Sequence, residues 1–211
     1  MQNDTLLDVY GPSLTSLPPL PPGLQTLVVY KTSLTSLPPL PPGLQVLEVR
    51  NTRLTSLPQL PSELQTLNVY KTSLSNLPQL PDGLRALIVS DTSLSSLPSL
   101  PSRLRTVIVH CPSLTSLQQL PDGLLRLDVS GVPLADLPQL PSGLQELDVS
   151  NTSLSSLPPQ LPDGLQALDV SNTKLTSLPP LPTGLKRLDV SGTGLTSLPP
   201  LPSKLQRTGC L

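Results

Sequence analysis

Four aspartates recur in this sequence at intervals of 20 or 21 residues, each within the run Leu-Asp-Val-Ser. Carboxylates stacked in register on neighbouring strands would lie ~4.8 Å apart and repel by about 1 kcal/mol per pair in water. They could form a groove for Ca²⁺ or for a basic segment. The plainer interpretation, which we favour, is a solvated polar surface partly balanced by Arg126 and Arg187, with weak Ca²⁺ binding at most. The four residues are Asp128, Asp148, Asp169 and Asp189.

Larger side chains replace this polar pattern in the N-terminal half of the chain. All three tyrosines of the protein fall at the position of the serine, and lysines follow two of them. Tyrosine and arginine are favoured anchors at protein interfaces, and an exposed apolar patch often marks a contact site. The alternative is that these side chains pack on one another and stiffen a sheet without any partner. The predicted partner-binding residues are Tyr10, Tyr30, Lys31, Arg50, Tyr70, Lys71, Ile88, Ile108 and His110.

His110 and Cys111 are neighbours, and such a pair could suggest a nucleophile with its base or part of a metal site. Successive strand residues point to opposite faces, which separates the two side chains. Zinc also requires three or four ligands, and no others are close in sequence. The chain has no phosphate-binding glycine loop and no H-E-x-x-H or G-x-S-x-G motif. We therefore predict no catalytic residue, no metal and no cofactor.

The element that must position these residues is a 20-residue repeat, L-x-x-L-x-V-x-x-T-x-L-x-x-L-P-x-L-P-x-G. The L-x-x-L-x-V part predicts a short strand, and the prolines hold the return extended, near polyproline II. Gly43 permits the turn into the next strand, although Glu63 stands there one repeat later. One such unit cannot bury its own leucines, so units must stack into a solenoid with a parallel sheet on the concave side.

The array contains about nine full repeats from Leu24 to Lys204, with partial repeats at both ends, so residues 1–211 are predicted to form one domain. One residue is inserted near Pro159-Gln160. The threonines that follow the strands, such as Thr32 and Thr173, are expected inside the turn, whereas Asn51 should face outward. No capping or catalytic domain is recognisable.

This L-P-x-L-P-x-x-L-x-x-L-x-V pattern resembles the leucine-rich repeats of the bacterial effectors YopM, IpaH and SspH, from about Leu7 to Leu205. The resemblance implies a non-catalytic protein-interaction module in a secreted effector that acts in the host cell cytoplasm; otherwise the chain would stay in the bacterial cytoplasm. An alternative is the substrate-recognition domain of a NEL-type E3 ubiquitin ligase whose catalytic domain is absent from this chain. The family usually has Asn where this sequence has Thr.

Charge and hydropathy exclude other classes of protein. The net charge of −1 gives no general attraction to nucleic acid. No apolar run approaches the roughly 18 residues of a membrane span. The start, Met1-Gln2-Asn3-Asp4, lacks the basic and apolar regions of a cleavable signal peptide. We expect an unidentified protein as the partner.

Overall fold

The computed structural model describes residues 5–209, which contain eleven parallel strands and no helix. The strands follow one another in a single sheet in chain order, so each repeat adds one rung. They are β1 Leu6–Gly11, β2 Thr26–Thr32, β3 Val46–Arg50, β4 Thr66–Tyr70, β5 Ala86–Ser90, β6 Thr106–His110, β7 Arg126–Asp128, β8 Glu146–Asp148, β9 Ala167–Asp169, β10 Arg187–Asp189 and β11 Arg207–Gly209. No helix able to cross a membrane occurs within the described residues. The predicted curved solenoid with a concave parallel sheet is confirmed.

The core is a stack of identical leucine and valine layers. Leu27 pairs with Leu47 and Val29 with Val49, and all four side chains are fully buried. The return stretch contributes Leu34, which is also fully buried. Burying one leucine or valine stabilises a fold by about 1.5–3 kcal/mol. Each layer gains this only when the next coil covers it, which explains why the repeats fold as an array.

The turn from the return stretch into the next strand needs no left-handed residue. Leu44 N–H donates to Pro41 O across this turn, and Gly43 does not have a positive φ. Glu63 can therefore replace the glycine one repeat later, as the sequence suggested.

The left-handed backbone conformation occurs instead at the other end of the strand, one residue after positions such as Arg50 and Tyr70. Asn51 has a φ of 52° there and is exposed, as predicted. Asparagine and aspartate tolerate this conformation better than most residues. Glycine occurs there twice and lysine twice. The residues with positive φ are Lys31, Asn51, Lys71, Asp91, Gly131, Asn151, Asn172 and Gly192.

The strands are of two lengths. β3 to β6 have five residues each, whereas β7 to β10 have three. The change comes between His110 and Asp128, where the Leu-Asp-Val-Ser run begins. The concave face therefore consists of an N-terminal half with longer strands and a C-terminal half with shorter ones.

Candidate protein-interaction surface

The tyrosines predicted from sequence do stand together on the concave face. Tyr10 is in register with Tyr30, Tyr30 with Arg50, and Arg50 with Tyr70. Their strands also place Val28 and Glu48 beside them, one outward position earlier. We call the row Tyr10, Tyr30, Arg50 and Tyr70 the aromatic column.

Neighbouring side chains in the aromatic column support one another. The rings of Tyr10 and Tyr30 lie 5.1 Å apart at 34°. Lys71 Nζ lies 5.1 Å from the centre of the Tyr70 ring, a cation–π distance. A hydrogen bond with Tyr70 raises the pKa of Lys71. Arg50 forms an ion pair with Glu48. These contacts are compatible with both predicted roles of the side chains, binding a partner and stiffening the sheet, and the two roles stay predictions.

The aromatic column is partly accessible despite these contacts. Tyr10 is 57% exposed and Arg50 is exposed, whereas Tyr30 and Tyr70 are partly buried. Lys31 and Lys71, beside the column, are exposed as well. Side chains that are already ordered before binding lose less conformational entropy on binding.

Ile88 and Ile108 continue the apolar surface on β5 and β6. They are direct partners in the sheet, and each is partly buried. The next residue in their column is Asp128, so the apolar surface ends at β6.

His110 connects three strands at this boundary. Its Nδ1 lies 3.2 Å from Ser90 Oγ, and its Nε2 lies 2.8 Å from Asp128 Oδ1. The hydrogen bond to Asp128 is the main reason that the pKa of His110 is raised, and burial opposes it only in part. Burial would raise the pKa of Asp128, but the hydrogen bond and charge of His110 and the Ser130 N–H outweigh it and lower that pKa.

Serine, histidine and aspartate are the side chains of a hydrolase triad, but Ser90 is buried here and the backbone N–H that follows it is already occupied. An oxyanion hole needs backbone or side-chain donors aimed at the reacting oxygen. Ser90 ends a strand that is paired on both sides, and the next N–H, of Asp91, donates to His110 O. The geometry therefore supports a link between repeats.

Cys111 is on the opposite side of the sheet from His110, as expected for neighbouring strand residues. It is completely buried, and its Sγ lies 3.2 Å from Thr92 Oγ1. Burial raises the pKa of the thiol, which disfavours the reactive thiolate. Cys111 is buried directly after β6, one residue before Pro112, which stands where other repeats have threonine. Cys210 lies outside the described residues.

The aspartates of the C-terminal half have a structural role that the sequence did not reveal. In each repeat, one carboxylate oxygen accepts the backbone N–H two residues later. For Asp169 and Ser171 the distance is 2.9 Å. This local bond occupies the N–H of the serine just beyond the end of each strand, whereas Val129 N–H still donates to Asp148 O in the next repeat. Both interpretations of the Leu-Asp-Val-Ser run, a binding groove and a solvated polar surface, stay predictions.

The interior threonines change partner between the two halves. Thr152, Thr173 and Thr193 donate their hydroxyls to the carbonyl three residues earlier, each at 2.7 Å. Leu54 N–H donates to Thr52 Oγ1 at 3.4 Å. Thr32 Oγ1 is buried with no hydrogen-bond partner among the described residues. Threonine thus replaces only part of the bonding expected of asparagine at this position.

Outward side chains of β7 to β10 line a groove of about 470 Å³. Arg126 and Arg187 reach toward each other, and both bind Glu146, at 3.5 and 3.1 Å. Asp148 and Asp169 lie in register beside them. Burial, together with the charges of its aspartate neighbours, raises the pKa of Asp148. Within residues 5–209, no three histidine, cysteine, aspartate or glutamate side chains converge as a metal site. Weak Ca²⁺ binding by the aspartates stays a prediction.

Comparison with known proteins supports the assignment made from the repeat. The leucine-rich-repeat family profile matches residues 143–163. YopM from Yersinia enterocolitica is 34% identical, with a TM-score of 0.52 over 97% of this chain and 59% of its own. YopM from Yersinia pestis is 31% identical, with a TM-score of 0.53 over 92% of this chain and 73% of its own. The chain belongs to the YopM family of leucine-rich-repeat effector proteins.

A third structure extends the family beyond Yersinia. A Shigella effector leucine-rich-repeat domain is 27% identical, with a TM-score of 0.55 over 92% of this chain and 72% of that domain. No curated protein sequence matches the chain. The chain spans 59% of the length of the Y. enterocolitica YopM.

Two features of this family member were missed from sequence. The first is the link from Ser90 through His110 to Asp128, whose members belong to two different columns. The second is Glu146, which holds arginines from two strands. Arg187 crosses Ala167 to reach it, a contact between residues 41 apart. The small Ala167 was a usable signal, because a larger side chain would obstruct this path.

Proposed function

We propose that this chain is a non-catalytic module that binds a protein through the concave face, with the aromatic column as its centre. Family membership supports an interaction scaffold in a bacterial effector. The observation that carries the proposal is the in-register row of Tyr10, Tyr30, Arg50 and Tyr70. Lys31, Lys71, Ile88, Ile108 and His110 complete the proposed contact surface.

Exposed cations beside these rings support the binding role over the alternative, in which the side chains only stiffen the sheet. Tyr10, on the terminal strand β1, is more than half exposed, whereas Tyr30 and Tyr70 are partly buried. Lys31 and Lys71 are exposed at left-handed positions directly after two of the tyrosines. Aromatic rings beside cations are a common composition for interface anchors.

We test the proposal by photo-crosslinking from the concave face. A photoreactive side chain at Asn68, which lies on β4 two residues before Tyr70, would be irradiated in host-cell lysate, and captured proteins would be identified by mass spectrometry. Tyr30→Ala plus Tyr70→Ala should lower specific capture at least tenfold. Gln59→Ala plus Gln79→Ala, which changes exposed residues of the convex side, is the matched control. Equal capture by both double variants would show that the aromatic column does not contribute to partner binding.

Secretion into the host cytoplasm is part of the same proposal and is supported by the effector relatives. A translocation reporter fused to the chain tests it. Use of the surface as the substrate-recognition part of an E3 ubiquitin ligase is the alternative. Sequencing the gene beyond Leu211 tests that alternative, since it requires a catalytic domain encoded in the same reading frame.

A further inference from the structure

The outward side chains of the concave face differ between its two halves, and this difference indicates the chemistry of the partner. β1 to β6 present the three tyrosines and Ile88 with Ile108, interspersed with the charged side chains of Glu48, Arg50, Lys31 and Lys71. β7 to β10 present five carboxylates, from four aspartates and Glu146, against the guanidinium groups of Arg126 and Arg187. The chain as a whole carries a net charge of only −1. The negative charge on this face is therefore concentrated in one half.

Glu146 holds both arginines of that half. Arg187 Nη2 lies 3.1 Å from Glu146 Oε1, and Arg126 Nε lies 3.5 Å from Oε2. Arg126 also approaches Asp128, at 3.8 Å. Among the described residues, none forms an ion pair with Asp148, Asp169 or Asp189. The unbalanced charge lies in this row of three.

The orientation of the three carboxylates is already fixed before any partner arrives. In each, Oδ1 accepts the backbone N–H of the serine two residues later, at 2.9 to 3.0 Å. Oδ2 accepts no hydrogen bond from the described residues. A row of carboxylate acceptors in a partly desolvated groove favours guanidinium or ammonium groups. Because the carboxylates are already oriented, little free energy is lost in ordering them when a cation binds.

We propose that the concave face binds an extended protein segment with apolar side chains at one end and arginine or lysine side chains at the other. The basic end would lie over Asp148, Asp169 and Asp189, and the apolar end over Ile88, Ile108 and the tyrosines. This inference rests on the proposed protein-binding function and adds the chemistry of the partner.

Distances along the axis set the length and spacing of this segment. Strands ~4.8 Å apart place Asp148 and Asp189 about 10 Å apart. Side chains on one face of an extended peptide are ~6.7 Å apart, so two basic residues separated by one other residue cover about two thirds of the row. β2 and β10 are eight rungs apart, about 38 Å, which corresponds to about 11–12 extended residues.

The test uses three fluorescein-labelled twelve-residue peptides and fluorescence anisotropy. The first has leucine at alternate positions in one half and arginine at alternate positions in the other half. The second has glutamate for arginine, and the third has the composition of the first with leucine and arginine interleaved. We expect the first to bind at least tenfold more tightly than either of the others.

Matched variants locate the basic end on the protein. Asp148→Asn plus Asp169→Asn should reduce the advantage of the arginine peptide to less than threefold. Asparagine keeps an oxygen for the serine N–H, and an unchanged melting temperature or an increase shows that the fold is intact. Asp82→Asn plus Asp163→Asn changes net charge equally at exposed turns away from this face. This control should keep the advantage.

The outcomes that overturn the inference are distinct. Equal affinity for the arginine and glutamate peptides would show that the aspartate row does not select a basic segment. If the Asp82→Asn plus Asp163→Asn control loses as much of the preference for the arginine peptide, net charge alone explains that preference. Equal binding of the interleaved peptide removes the division into two halves. A captured protein that depends on Tyr30 and Tyr70 but is insensitive to Asp148→Asn plus Asp169→Asn leaves the proposed function in place and refutes only this inference.

Discussion

Replacing the interior threonine by valine should have opposite effects at two equivalent positions of the array. Thr173 and Thr32 are both buried, at 6% and 5% exposure. Thr173 Oγ1 donates to Val170 O at 2.7 Å, whereas Thr32 Oγ1 has no partner among the described residues. The same substitution therefore removes a hydrogen bond in one repeat and a buried, unpaired hydroxyl in the other.

The magnitudes follow from these two environments. Thr173→Val leaves the Val170 carbonyl without its donor, which should lower the free energy of unfolding by about 1–3 kcal/mol. Thr32→Val removes a desolvated hydroxyl at nearly constant volume, so it should raise that free energy by about 1 kcal/mol. For a chain of this length, 1 kcal/mol corresponds to about 2–4 °C in melting temperature.

Urea unfolding followed by circular dichroism measures both values, with equal m-values showing that the same cooperative unit unfolds. Thr35→Val, at an exposed position of the convex side, is the control and should stay within about 0.5 kcal/mol of wild type. If both interior variants shift stability in the same direction, hydrogen bonding does not distinguish the two positions and the account of the threonine column is refuted.

Three further results are expected. Leu168→Ala should cost about 2–5 kcal/mol in urea unfolding as a core truncation, whereas Gln166→Ala should cost almost nothing; equal costs would contradict the assigned core. The pKa of His110 is raised above its ordinary value of 6.5 in the folded protein. Its contribution to stability is therefore fully present below pH 6.5 and is lost as the pH rises through the pKa of the folded state. In His110→Gln the urea midpoint should no longer decline over this pH range. A decline of the same size in the variant would show that another group causes it. Calorimetry should show at most weak Ca²⁺ binding, and micromolar affinity lost in Asp148→Asn plus Asp169→Asn would prove a true cation site.

The sequence was sufficient to predict the sheet and its columns because the repeat has a fixed length. Twenty residues bring Val29 beside Val49, so every outward position forms a row, and Tyr30 and Arg50 could be placed as neighbours in advance. The inward leucines needed no other information, since only stacking buries them. The predicted role of the tyrosines stays a prediction.

The features that escaped prediction are contacts other than those between adjacent residues of one row. His110 reaches diagonally to Asp128, and Arg187 crosses one strand to reach Glu146. Their side-chain directions depend on rotamers and on neighbouring volumes, which a repeat pattern does not specify. The hydrogen bonds from the aspartate carboxylates to the serine N–H groups were missed for a related reason. The Asp-Val-Ser sequence does not specify whether the carboxylate faces water or its own backbone.

The residue inserted near Pro159 and Gln160 shows where the array tolerates added length. Both residues are exposed on the return stretch, yet Glu146 and Ala167 still pair in register on either side of the insertion. An extra residue within a strand would instead turn every following side chain over. A loop, epitope tag or fluorophore-binding peptide grafted between Pro159 and Gln160 would therefore label the protein from behind, leaving its recognition surface unaltered.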